Sequence, residues 1–316
     1  MMAVAYVALN LANHLVEAIM RRIICCCTAF AIFISATAPT LRAAESDFKI
    51  TPDVVYGHKA GMALTFDVIR PKDPNGAGVL FMMSGAWVST WVPPEGFVSD
   101  KASKGFKHFR DLVDHGYTLF IVRHGSSPQF KVPEALADVR RAVRYIRLHA
   151  KDFDIDADRL GVCGGSAGGH LSLMLGTASD DGEKEAKDGV DRTGDRVAAI
   201  VAYFPPVDLR EWVGDKRFPA LHFDKKDADA VSPILHVSKD DPPTLLIHGD
   251  KDELVKLDNS ERILAKLQEQ KVPCELIVIE GAGHGFPGEM GQRASKALVD
   301  WFDEHLAKVE VGGNGQ

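Results

Sequence analysis

The feature that most constrains this chain is a succession of short apolar runs, separated by segments of helical periodicity. Residues 78–83 and 117–122 carry neither charge nor polar alternation, so they read as strands buried on both faces. Residues 160–163, 197–203, 243–248 and 274–279 continue the series. Helical spacing occupies residues 106–115, 167–175, 260–270 and 294–306. A further helix opens at Pro133, with Leu136, Val139, Val143 and Ile146 on one face and Arg140, Arg141, Arg144 and Arg147 mostly on the other, read as a solvated face. Residues 54–56 and 64–69 read as a short antiparallel pair broken by Lys59-Ala60-Gly61. Strands alternating with helices of this length require right-handed crossovers and a mostly parallel sheet with helices on both faces. No repeat or flexible linker divides residues 44–310, which read as one domain. Within it, residues 178–196 look like a surface loop. Residues 204–237 form an irregular segment expected to serve as a small lid, together with the 88–105 loop.

Composition excludes several classes. The 316 residues are 46% hydrophobic and 26% charged, which is ordinary for a globular protein. A net charge of −7 supplies no basic field to attract nucleic acid. Met20-Arg21-Arg22, an uncharged run over 23–38, and Leu41-Arg42-Ala43-Ala44 together describe a secretory signal peptide cleaved near Ala43. The expectation is export, with translation starting at Met20 and no stable membrane insertion of the mature chain. An uncleaved N-terminal membrane anchor is the other reading. Residues 311–316 are expected to be a disordered tail. Of the five cysteines, Cys25, Cys26 and Cys27 fall in the apolar run, leaving Cys163 and Cys274. These lie on strands with two others expected between them, about 14 Å apart, beyond the reach of a disulfide. Two free buried thiols are expected.

Gly164-Gly165-Ser166-Ala167-Gly168-Gly169 follows one of the apolar strands and precedes a helix. In that context G-x-S-x-G is a nucleophile elbow: a strained turn lifts the Ser166 hydroxyl above the carboxyl edge of the sheet. It also aims the Ala167 N–H at the place where negative charge would develop. A serine needs a base, and the base needs an acid, in the chain order Ser, acid, His. His284, in Gly281-Ala282-Gly283-His284-Gly285-Phe286 just past the last strand, is the candidate base. His124, His170, His222 and His248 are weaker candidates: His170 is expected to point down its helix and His248 to make a structural hydrogen bond. After the preceding strand, Asp250 and Asp252 compete for the acid, and Asp252 is far enough along to turn back over the sheet edge. Asp250 is then left to serve its own turn. The loop after residue 83 reads Ser84-Gly85-Ala86-Trp87, so Gly85 and Ala86 are the candidates for the second oxyanion donor. Trp87, Phe204, Trp212 and Phe286 are the candidate pocket residues. No close-spaced ligand pair such as H-x-x-x-H is present, so neither a metal nor an organic cofactor is expected.

Together these residues resemble the α/β-hydrolase fold. The resemblance is closest to the bacterial esterase/lipase branch related to hormone-sensitive lipase, feruloyl and acetylxylan esterases and prolyl-oligopeptidase catalytic domains. It is carried by residues 164–171, 241–249, Asp252 and 281–286, and it covers most of residues 50–308. It implies a serine carboxylesterase with Asp252 as the triad acid, acting on a small-molecule or carbohydrate ester. The usual His-Gly-Gly oxyanion motif is replaced here by Met83-Ser84-Gly85, which removes a histidine that normally braces the loop. Two rival readings remain: a prolyl-oligopeptidase-like peptidase, and a catalytically silent binding protein on the same fold.

Overall fold

The computed structural model describes residues 47–98 and 108–307. The leader and anchor readings of residues 1–43, the tail at 311–316 and the end of the 88–105 loop lie outside the described residues. Among the described residues, one sheet contains β1 (Phe48–Lys59), β2 (Met62–Pro71), β3 (Gly78–Met82), β4 (Thr118–Val122), β5 (Leu160–Gly165), β6 (Ala199–Tyr203), β7 (Thr244–Gly249) and β8 (Cys274–Ile279). Their spatial order is β1-β2-β4-β3-β5-β6-β7-β8. The pairs β1–β2 and β2–β4 are antiparallel. All the others are parallel. This is the mostly parallel sheet expected from the alternation of strands and helices.

The β1–β2 pair is longer than the sequence suggests, at 12 and 10 residues. Register shifts between Thr51 and Val54 and between Val55 and Gly57 interrupt its pleat. Each shift swaps the side chains between faces, which reduces the period-2 signal to fragments.

The helices are α1 (His108–Asp114), α2 (Val132–Leu148), α3 (Ala167–Thr177), α4 (Asp258–Glu269) and α5 (Glu289–His305). Helix α5 starts five residues before the expected position because its first turn is at most partly buried and its first fully buried residue is Ala294. The apolar periodicity therefore marks where burial begins, not where the helix begins. Every residue of α3 is buried. None of the helices among the described residues is long and apolar enough to cross a membrane.

Alternate strand residues separate into two cores. Leu80, Met82, Phe120, Val122, Val162 and Ile200 pack with α2, α3 and α4 on one face. Val79, Leu119, Ile121, Val201 and Leu245 pack with α1 and α5 on the other. Helices thus cover both faces, and the β-strand ends are left to carry loops.

Two sequence readings need correction. The α2 arginines are not a solvated face. Arg140 bonds Asp180 at 2.9 Å and Asp195 at 3.0 Å, Arg141 bonds Asp188 at 2.5 Å and Asp191 at 2.6 Å, and Arg144 also reaches Asp180. They tie the irregular 178–196 segment down, and acidic partners that far along the chain leave no local signature. Cys163 and Cys274 are free, on β5 and β8 with β6 and β7 between them, but only Cys163 is buried. Cys274 is half-buried because β8 forms the sheet edge.

Candidate active site

Ser166 occupies the turn between β5 and α3 at φ 55°, ψ −118°, a region L-residues avoid at a cost of about 1–3 kcal/mol. Its backbone is held from both sides: Ser166 N–H donates to Tyr203 O at 2.9 Å, and Ser166 O accepts from His170 N–H at 2.9 Å. Two glycines are obligatory here. A β-carbon on Gly164 would come within 2.6 Å of Gly168 carbonyl atoms, and one on Gly168 within 2.5 Å of Met82 O. The elbow therefore exists because strand β3, strand β5 and helix α3 approach each other more closely than side chains allow.

His284 lies in the loop after β8. Its Nδ1–H donates to Asp252 Oδ2 at 2.7 Å. The other carboxylate oxygen of Asp252 accepts from Leu254 N–H at 2.9 Å and Val255 N–H at 3.0 Å, so the turn after β7 fixes the acid's orientation. Asp252 is buried while the His284 side chain keeps 23% exposure, enough to face a substrate. Asp250 instead accepts from Gly281 N–H at 2.6 Å, pinning the two loops to each other. The ring of Phe204 lies 4.5 Å from the His284 ring. Phe204 itself sits at φ 37°.

Ser166 and His284 line a single cavity of about 420 Å³. Trp87, Trp212 and Phe204 also line it, as do Met83, Pro206, Phe218, Leu254 and Val255. Phe286 does not. It packs behind the wall, 5.2 Å from Phe204 and 6.1 Å from Tyr203, and supports the aromatic face without reaching the cavity. Among the described residues that line it, none is Asp, Glu, Lys or Arg. Among the described residues no group of three His, Cys, Asp or Glu is placed to hold a metal ion.

The loop after β3 closes on itself. Gly85 N–H donates to Val88 O at 3.0 Å and Val88 N–H returns to Gly85 O at 2.9 Å. Between them Ala86 and Trp87 sit at φ 50° and φ 56°. This is a two-residue hairpin turn of the left-handed kind usually built from Asn-Gly, made here from two residues with β-carbons at a cost of about 1–2 kcal/mol each. Gly85 N–H is thus already spent, and of the two candidate donors Ala86 is the one the turn leaves for a substrate oxygen.

Three other histidines are structural. His248 donates Nε2–H to Val255 O at 2.7 Å, accepts from the Ser260 hydroxyl at 2.8 Å, and is held below its ordinary pKa chiefly by burial. His124 donates Nδ1–H to Gly125 O at 2.9 Å and meets the Ser84 hydroxyl through Nε2 at 2.8 Å; burial likewise lowers its pKa. His170 does not merely point down its helix: it meets Trp87 and Val231. His222 bonds Asp215 O at 3.0 Å on the exterior, and is not among the cavity's lining residues. Phe218, Leu254 and Val255 were missed as pocket residues. Phe218 lies in the irregular 204–237 segment and Leu254 and Val255 just after Asp252, where no periodicity in the sequence marks a residue as lining a cavity.

A mostly parallel eight-stranded sheet carrying a serine at the β5–α3 turn is the α/β-hydrolase fold. Residues 67–267 match the BD-FAE family model, well over half the chain, and the protein belongs to that family. It is 29% identical over 251 residues to Esterase LipC of Mycobacterium tuberculosis (strain ATCC 25618 / H37Rv), covering 74% of this chain and 59% of that protein. It is 26% identical over 280 residues to the Probable carboxylic ester hydrolase LipM of the same organism, covering 83% of this chain and 62% of that protein. The chain therefore spans roughly three-fifths of the length of these curated relatives. A truncated carbohydrate esterase from gut microbiota superposes with TM-score 0.67 at 25% identity, covering 84% of this chain and 99% of that one. Propionate-bound esterase 2 of Thermogutta terrifontis gives TM-score 0.66 at 23% identity, covering 82% and 94%, a likeness of fold.

Proposed function

We propose that the protein is a serine-dependent carboxylic-ester hydrolase acting on a small or carbohydrate-linked ester. The observation that carries this reading is the convergence of Ser166, in its strained elbow, and His284, backed by Asp252, on one cavity. The esterase names of the relatives and the carbohydrate esterase among the structural neighbours support the same class.

The residues divide the chemistry as follows. Asp252 accepts a hydrogen bond from the Nδ1–H of His284, which keeps that proton on Nδ1 and leaves the free lone pair of the ring on Nε2. That nitrogen takes the Ser166 hydroxyl proton as the serine oxygen bonds to the ester carbonyl carbon. The carbonyl π electrons move onto oxygen, and the N–H groups of Ala167 and Ala86 stabilise the charge, each such donor contributing about 2.7–4 kcal/mol. Collapse expels the alcohol, which leaves with the proton held by His284. Water then repeats the sequence on the acyl-serine, releasing the acid and restoring Ser166.

Among the described residues that line the cavity none is Asp, Glu, Lys or Arg, which supports an uncharged group beside the scissile bond, since a buried unpaired charge there would be costly. The test is labelling by a fluorophosphonate probe together with hydrolysis of p-nitrophenyl acetate and acyl-sugar esters. Labelling and turnover are both expected, and both are expected to vanish in Ser166→Ala. A wild-type protein that neither labels nor turns over any ester overturns the proposal. Cleavage of peptide amides in preference to esters would move it to the peptidase reading.

A further inference from the structure

Two buried histidines that the acyl-transfer scheme does not use, His124 and His170, bond the loop carrying Ala86, His124 at Ser84 and His170 at Trp87. That turn needs restraint from outside itself, because both of its central residues are left-handed without being glycine. Ser127 N–H donates to Trp87 O at 3.1 Å, and the Ser89 hydroxyl donates to Met83 O at 2.6 Å, which secure the turn's flanks. The indole of Trp87 is the handle that reaches inward. Its Nε1–H donates to His170 Nδ1 at 3.3 Å, and the two rings meet edge to face with centroids 5.4 Å apart.

His170 is well suited to hold that handle still. It is fully buried on α3, and its Nε2–H donates to Val231 O at 2.7 Å. A single neutral tautomer satisfies both ring nitrogens, one as acceptor and one as donor. Its own backbone N–H donates to Ser166 O. One imidazole therefore ties the turn that carries Ala86 to the helix that carries the nucleophile, and ties both to the irregular segment at Val231. Trp87 lines the cavity and His170 does not, so His170 touches no substrate.

We propose that His170 is a positioning residue for the reaction: acting through the Trp87 indole, it fixes the Ala86–Trp87 turn so that the Ala86 N–H faces the developing oxyanion. This rests on the esterase reading above. The role differs from core filling because it is needed more in the transition state than in the bound substrate, where the carbonyl oxygen carries little charge.

The experiment uses Trp87→Phe, which keeps an aromatic ring but loses the Nε1–H together with the pyrrole part of the indole, with His170→Leu, the double variant and His170→Gln. The double variant separates loss of the bond from loss of ring volume. With p-nitrophenyl acetate, Trp87→Phe is expected to lower kcat by about tenfold or more, with KM within about twofold of wild type. His170→Leu gives a similar loss, the double variant falls no further than the worse single variant, and His170→Gln, which keeps one acceptor and one donor, recovers most of the activity. A Trp87→Phe variant with kcat within twofold of wild type overturns the proposal. So do losses that multiply in the double variant.

A second readout needs no activity. The indole N–H resonance of Trp87, assigned by its disappearance in Trp87→Phe, is expected to exchange slowly with solvent in the wild type and at least tenfold faster in His170→Leu. Unchanged exchange overturns the brace. A wild type inactive on every ester sinks the hydrolase reading, while this resonance still decides whether the brace exists.

Discussion

Replacing Asp252 by Asn tests the proposed catalytic arrangement with almost no change of shape. One oxygen of Asp252 accepts two backbone N–H groups, from Leu254 and Val255, at 2.9 and 3.0 Å. A carboxamide has a single acceptor oxygen, and these two donors will claim it. The NH₂ group of the new side chain must then sit where the other oxygen was, 2.7 Å from His284 Nδ1. Two donors cannot face each other at that distance, so the ring sheds its Nδ1 proton and carries one on Nε2 instead. That is the nitrogen required to accept the Ser166 proton, and the base is lost without any loss of volume. The equivalent change in a serine-protease triad lowers kcat by about 10⁴, close to 5.5 kcal/mol of transition-state stabilisation. The same NH₂ also faces His248 Nε2, 3.5 Å from the oxygen it replaces, so folding stability drops by about 1 kcal/mol. Initial rates on p-nitrophenyl acetate, normalised to active sites titrated in the wild type, read the first effect and urea melts the second. An Asp252→Asn protein that melts cooperatively yet retains more than about a tenth of wild-type kcat refutes the tautomer reasoning, and with it the catalytic role of Asp252.

Other predictions test the elbow, the cavity wall and the buried imidazoles. Gly168→Ala puts a β-carbon 2.5 Å from Met82 O and is expected to cost about 1–3 kcal/mol in a urea melt; a change under about 0.5 kcal/mol would mean that β3 and α3 can part freely. Phe204→Ala removes the ring 4.5 Å from His284 and is expected to lower kcat by roughly ten- to a hundredfold, while unchanged kinetics would show that the imidazole needs no support on that face. Burial holds the pKa of His170 down from 6.5 to about 4, partly offset by its bond to Val231. Between those values the unfolded chain binds a proton that the native state refuses, so this stability is complete above pH 6.5 and is lost as pH falls toward 4. At pH 5 the loss is about 2 kcal/mol, and His170→Gln should reduce the pH 7-to-5 difference in urea stability by that amount; an equal difference in both proteins refutes the assignment.

The sheet and the elbow were legible because they rest on local physics. Apolar runs such as 78–83 and 117–122 can only be satisfied by burial on both faces, and the glycines around Ser166 are required by close approach of the backbone. Asp252 and His284 could be named because each follows an apolar strand, and strand ends of a parallel sheet share one edge. Element boundaries were less legible, since the first turn of α5 buries none of its residues fully and carries a single apolar side chain, Met290, too little for a periodic signal.

What the chain order alone determined is therefore the alternation of strands and helices, the strained serine turn, and the positions of an acid and an imidazole at the same sheet edge. Only the tertiary structure decided which amide of the Gly85–Ala86 pair remains free, that Phe286 stands behind the cavity wall, and that the α2 arginines grip the 178–196 segment. It also decided that His124 and His170 bond Ser84 and Trp87 of the loop after β3, partners 40 and 83 residues away. The physical reason is the same in every case. Periodicity and turn chemistry act over a few residues and are written in the local sequence, whereas a hydrogen bond between distant segments depends on packing, and no spacing rule in the sequence records it.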